Sequence, residues 1–200
     1  MNEQNHVRAF IAVEIDDTIR VGLTDIQNVL KKANGHVSWV PPQNIHCTLV
    51  FLGDVFRPTV DSAAGALSKT AAGGKSFEVK ISGLGFFGSA RSPRIIWAGI
   101  TESAPLMELQ NNITAALLQA GLKPDLKPFK PHLTIGRVRS NRNAADLVHA
   151  LEKNKDQLFG VLAVRRVVLM ESRLAANGPS YCPLCSIALG EEGAKIRIKH

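Results

Sequence analysis

Two short segments of this chain are near copies of each other, Ile45-His46-Cys47-Thr48-Leu49 and Pro131-His132-Leu133-Thr134-Ile135, with their histidines 86 positions apart in 200 residues. Each has the form His-x-Thr-apolar, each opens a run that reads as a strand, and each follows a proline within four residues. In a strand, residues two apart share a face. His46 with Thr48, and His132 with Thr134, therefore each turn an imidazole and a hydroxyl to one surface, while Cys47, Leu49, Leu133 and Ile135 anchor the other in packing. The spacing is close to half the chain length, which puts one motif in each half of the chain. The remaining histidines, His6, His36, His149 and His200, have no matching neighbours.

Periodicity fills in the elements around the motifs. Val7 to Ile15 reads as a strand ending at Asp16-Asp17, an N-cap position for a helix whose apolar face is Ile19, Leu23, Ile26 and Leu30. Short strands follow through Val37 to Trp39 and Ile45 to Leu52, then a helix over 60–71 and a strand over 77–84. Gly85 to Pro93 reads as a Gly/Ser/Pro loop, and Arg94 to Ile100 as a strand. The second half repeats this vocabulary: a helical stripe of Leu106, Leu109, Ile113 and Leu117, a basic proline-punctuated loop over 123–130, and a strand over 133–138. A helix over 144–151, one long strand over 160–170 and a last strand over 181–189 complete it. Strands and helices alternate without a low-complexity linker, and several connections are short enough for antiparallel pairing. The expectation is α+β with sheet in both halves, packed as one unit over residues 1–200.

The chain carries 24 basic and 17 acidic groups, a net of +7. The excess concentrates between Gly121 and Arg142, where Lys123, Lys127, Lys130, Arg137, Arg139 and Arg142 face the single acid Asp125. Such clustering favours an anionic partner. Apolar runs such as Val161 to Val164 and Val167 to Met170 are broken by Arg165 and Arg166, far short of the roughly 20 residues of a membrane span. The polar start, Met1 to His6, lacks the pattern of a signal peptide, so the expectation is a soluble cytoplasmic protein. Three cysteines, Cys47, Cys182 and Cys185, are too few for a disulfide framework. The Cys182-x-x-Cys185 spacing lacks the further ligands a zinc site needs, so no metal and no cofactor are expected.

Two imidazoles facing one space suit a particular reaction. With an ordinary pKa near 6.5, one histidine can take a proton while its twin gives one. A phosphodiester needs both at once, a base for the attacking hydroxyl or water and an acid for the departing oxygen. Thr48 and Thr134 would donate to the non-bridging oxygens, and Arg137 would add a charged fork. Strict alternation puts Arg137 on the wrong face, so this role requires a bulge, for which Gly136 is the natural place.

These motifs resemble the signature of the 2H phosphoesterase superfamily, and in detail its RNA 2′,3′-cyclic phosphodiesterases, also called 2′-5′ RNA ligases. Similarity extends to Arg8 through Glu14, Trp39 through Asp54, Pro93 through Gly99, Pro131 through Arg137, and Val168 through Leu174 followed by Gly178 to Tyr181. Departures are Cys47 at a usually apolar position, Gly136 at one often alanine, and an unusually basic tail after Leu189. The resemblance implies a bilobal fold of two pseudo-symmetric, interleaved α/β lobes, each with an antiparallel-rich sheet, one motif per lobe (46–49 and 132–135) facing a central cleft. It implies metal-independent hydrolysis of RNA 2′,3′-cyclic phosphate ends to 2′-phosphomonoesters. His46 would be the proton donor and His132 the acceptor, with Thr48, Thr134 and Arg137 on the phosphate. Microscopic reversibility adds ATP-independent 2′-5′ joining with the roles exchanged.

The implied partner is a tRNA-like or short RNA end, met by a monomer. Phe51, Phe129, Tyr181, Lys130 and Arg139 are the candidates for base or RNA contact, with core packing the preferred reading for Phe51. The alternatives are another 2H activity, on an ADP-ribose cyclic phosphate or 2′-5′ oligoadenylate, a non-catalytic RNA-binding module, and a metallophosphodiesterase.

Overall fold

The first helix begins where the sequence offers it a cap. β1 (His6–Glu14) leads to Asp16, whose carboxylate accepts the Ile19 N–H at 2.9 Å and starts α1 (Asp17–Lys31). Ile19, Leu23, Ile26 and Leu30 of that helix are buried, as their spacing predicts, and each such leucine contributes about 2 kcal/mol of burial. The computed structural model describes residues 6–175 and 178–190, so the basic tail of residues 191–200 lies outside the described residues.

The chain continues through β2 (Val37–Trp39), a 3-10 turn (Pro42–Asn44), β3 (His46–Phe56), α2 (Arg57–Ala72), β4 (Phe77–Ser89), β5 (Ser92–Thr101) and α3 (Ala104–Gln119). It closes with β6 (His132–Val138), α4 (Ala144–Lys153), β7 (Leu158–Val164), β8 (Arg166–Ala175) and β9 (Gly178–Ala188). The strands form a four-stranded sheet, β3-β1-β8-β9, and a five-stranded sheet, β2-β6-β5-β4-β7, with antiparallel pairing throughout. This is the expected α+β class with one motif strand in each sheet.

The helices cross between layers. α1 follows a strand of the first sheet yet packs on β7 of the second, whereas α3 follows β5 of the second and packs on β3 of the first. α2 joins α3 behind the first sheet, and α4 joins α1 behind the second. The main hydrophobic core lies between helices and sheets. A smaller cluster of Phe10, Ala12, Val168 and Met170, with Tyr181 against it, occupies the opposite face of the first sheet. No helix among the described residues is long and apolar enough to cross a membrane.

Two expectations need correction. The segment over 160–170 is not one strand but two, β7 in the second sheet and β8 in the first. Buried positions run Leu162 and Val164, then Val167 and Leu169, a one-residue change of phase across the exposed Arg165 and Arg166 where the chain passes between sheets. The Gly85 to Pro93 stretch is also not a loop, because β4 and β5 extend through it as a hairpin that turns only after Ser89. Its glycines serve the strand. The Trp97 ring of β5 lies over Gly85, where a Cβ would collide with it, and Gly88 holds φ +110 against the Ser92 carbonyl, a conformation that suits glycine.

Candidate active site

β3 opens at His46 and β6 opens at His132, and the two rings are held in the same way. Nδ1 of His46 lies 2.8 Å from the Asn44 carbonyl, and Nδ1 of His132 lies 2.7 Å from the Lys130 carbonyl, each two residues earlier. A carbonyl can only accept, so Nδ1 carries the hydrogen in both rings and Nε2 is left to exchange protons. The Thr48 hydroxyl donates to Nε2 of His46 at 2.9 Å.

The motifs adjoin each other. The buried Cys47 thiol sits at the backbone of His132, where burial pushes it up to about 12 against the opposing effect of that backbone hydrogen bond. It is a neutral packing group joining the two motif strands. Burial also lowers the His46 pKa below 6.5. The Asn44 carbonyl opposes this, while the charges of Arg137 and then His132 add to it. β3 and β6, which carry the two motifs and Arg137, pack against each other.

A β-bulge accounts for Arg137. On β5, Ile96 faces Gly136 and Trp97 faces Thr134, so Ile135 has no partner and is the extra residue, one position before the place expected. Ile135 and Gly136 are both buried, alternation reverses, and Arg137 joins the face of His132 and Thr134. The first motif does the same. Ile11 faces Val50 and Ala12 faces Thr48, leaving Leu49 as the extra residue. Phe51 consequently takes the place in the first half that Arg137 takes in the second. It is 51% exposed, which corrects the core-packing reading.

Aromatic rings complete the surroundings, the predicted Tyr181 together with Phe10 and Phe87, which the sequence does not single out. Phe10 stacks on His46 with centroids 4.9 Å apart, and Tyr181 stands edge-on to the same ring at 5.1 Å. Phe87 stands edge-on to His132 at 5.0 Å, with Lys130 Nζ 5.9 Å above its centroid. Phe87 lies in the stretch that reads as a loop, and Phe10 in a strand whose two faces are both buried, so neither shows an alternation that would mark it.

The other candidates divide. Tyr181 and Lys130 are at the histidines, while Phe129 is half-buried and packs against the main core. Arg139 is not brought to them. It lies at the far end of β6, seven residues or roughly 20 Å along the strand from His132, with its amide on the His36 carbonyl. A cavity of about 450 Å³ opens at that distant end, bounded by Asn34, Gly35, His36, Arg142 and Asn143. No group of three or more His, Cys, Asp or Glu side chains among the described residues could hold a metal ion.

The lowered His46 pKa has a consequence for stability. Between that value and 6.5 the unfolded chain binds more protons than the folded one, so stability is complete above pH 6.5 and falls as pH drops through the window. Urea titrations at a series of pH values should show a shallower acid-side loss in H46Q than in the parent. An unchanged slope would mean that His46 does not carry the effect.

Residues 16–175 match the 2′-5′ RNA ligase superfamily. The RNA 2′,3′-cyclic phosphodiesterase of Methanothermobacter thermautotrophicus is 34% identical over 88% of this chain and 95% of its own length. The protein of that name from Archaeoglobus fulgidus is 37% identical over 88% of this chain and 96% of its own. Among solved structures, a Thermus thermophilus protein superposes with a TM-score of 0.77 at 26% identity, over 92% of this chain and 99% of its own. E. coli LigT, crystallised with 3′-AMP, shares the fold with a TM-score of 0.73 at 21% identity, over 93% of this chain and 99% of its own. Likeness at this level runs through both halves and both motif strands, and the chain belongs to the 2′-5′ RNA ligase superfamily.

Proposed function

We propose that this protein hydrolyses RNA 2′,3′-cyclic phosphate ends to 2′-phosphomonoesters, using His46 as general acid and His132 as general base. The observation that carries the reading is the matched pair of imidazoles, each anchored through Nδ1 to a backbone carbonyl so that Nε2 is the nitrogen available for proton transfer, with that of His46 held by the Thr48 hydroxyl. Relatives named RNA 2′,3′-cyclic phosphodiesterase support the substrate class.

His132 Nε2 takes a proton from water as its oxygen attacks phosphorus. The bond from phosphorus to O3′ breaks, and His46 Nε2 delivers its proton to O3′. Solvent exchange then resets both rings. In the free protein burial keeps His46 largely unprotonated near neutrality, but the phosphodiester anion beside it favours the imidazolium and loads the acid when substrate binds. Thr48, Thr134 and Arg137 hold the non-bridging oxygens, where negative charge grows in the transition state. A 5′-hydroxyl RNA end in place of water yields a 2′-5′ linkage without ATP, and His132 and His46 keep their roles rather than exchanging them, because the hydroxyl attacks as water does and O3′ leaves in both cases.

The test is hydrolysis of 2′,3′-cyclic AMP in excess chelator. We expect undiminished turnover, with 2′-AMP as product. A 3′-AMP product would reject the leaving-group assignment, and loss of activity in chelator would reject the metal-free mechanism.

A further inference from the structure

Gln27 is the only buried polar side chain among the described residues, 2% exposed on the core face of α1. Its neighbours on that face are aliphatic, and a leucine there would complete the stripe. An amide placed in such surroundings is costly unless its hydrogen bonds are made. Those bonds are specific: Nε2 donates at 2.8 Å to the Val40 carbonyl and at 2.8 Å to the Ile135 carbonyl. The Ile135 carbonyl also accepts the Val40 N–H at 3.0 Å. Ile135 is the extra residue of the bulge that turns Arg137 to the face of the histidines.

The other half supplies a comparison. α3 packs on β3 as α1 packs on the second sheet, and the first motif also carries a bulge, at Leu49. The buried residues of α3 are Leu106, Leu109, Ile113 and Leu117, with no polar group among them. The bulge on that side presents Phe51, the one on this side a guanidinium. A buried amide clamp thus occurs where the residue presented is charged and must be aimed.

We propose that Gln27 is a positioning residue for the phosphate site, clamping the Ile135 bulge so that Arg137 points at the non-bridging oxygens. This rests on the reading of Arg137 as a phosphate ligand. Removing the clamp leaves the Ile135 carbonyl one buried donor short and frees the strand to relax toward regular alternation, which carries Arg137 away.

The experiment is a double-mutant cycle on the full chain, with kcat and KM measured on 2′,3′-cyclic AMP for the parent, Q27M, R137A and Q27M/R137A. We expect Q27M to lower kcat by about tenfold, equivalent to about 1.4 kcal/mol, with little change in KM. In the R137A background the same substitution should change kcat by less than about twofold, because the group it aims is gone. Equal losses in both backgrounds would make Gln27 a merely structural residue and overturn the proposal, as would a Q27M enzyme with parental kcat. Parental turnover in R137A would instead sink the phosphate reading of Arg137, and this proposal with it. Should Q27M not fold, Q27E, which when neutral keeps one donor, completes the same cycle with a smaller expected loss.

Discussion

Alanine at either His46 or His132 should lower kcat for 2′,3′-cyclic AMP by about 10²–10⁴-fold while nucleotide affinity stays within a few-fold. In the proposed mechanism both proton transfers belong to one displacement, so the remaining imidazole cannot do the work of two. The double variant should accordingly be little worse than the worse single one, since residues that act as a unit lose their effect together. The fold should survive, because both rings are only half-buried and stand outside the main core. A steady-state comparison of the three variants, with nucleotide binding followed by calorimetry, decides the matter. Near-parental turnover in either single variant would end the two-histidine account.

Arg137→Ala should cost about 10²–10³ in kcat, the range for removing one donor aimed at developing charge. Its side chain is exposed and makes no ion pair among the described residues, so little stability is at stake. Arg137→Lys should recover only part of the loss. An ammonium restores the charge but not the planar fork that spans two phosphate oxygens. Equal turnover in R137K and the parent would show that charge alone matters, and equal turnover in R137A would remove Arg137 from the site. The loss should also appear in the pH-rate profile, since the Arg137 charge is one of the causes that lower the His46 pKa. In R137A the macroscopic value dominated by His46 should move upward.

How much of the molecule is legible in advance follows from where physical information lies along a chain. The His46 and His132 strands, the faces of α1 and α3 and the cap at Asp16 are legible because period, spacing and capping are local. The break at Arg165 is written as two adjacent arginines and a change of phase, yet its meaning, a passage between sheets, depends on partners far away. Gly85 looks like a loop residue until Trp97 is laid across it, and Gly88 until the Ser92 carbonyl is set against it. Gln27 looks like a surface residue that strayed onto an apolar face, and only the Ile135 carbonyl explains it. The bulges are half legible. Arg137 demands one, but nothing in the first motif asks for its twin, and Phe51 reads as a core residue for that reason. Arg139 shows the opposite error: nearness in sequence to His132 becomes roughly 20 Å along an extended strand.

The order of strands in the first sheet also bears on how the protein is made. Ala9 on β1 pairs with Glu171 on β8, so the second edge of β1 stays open while the long stretch of chain between them is synthesised, about 10–30 s at ribosomal speed. During that interval Phe10 and Ala12, which later lie side by side with Met170 and Val168 and pack against Tyr181, lack those neighbours. The Phe10 ring on which His46 stacks is laid early in synthesis and flanked late. Catalytic competence therefore arrives with β8 and β9, and a nascent chain stalled before β8 exposes an unpaired apolar edge prone to aggregate.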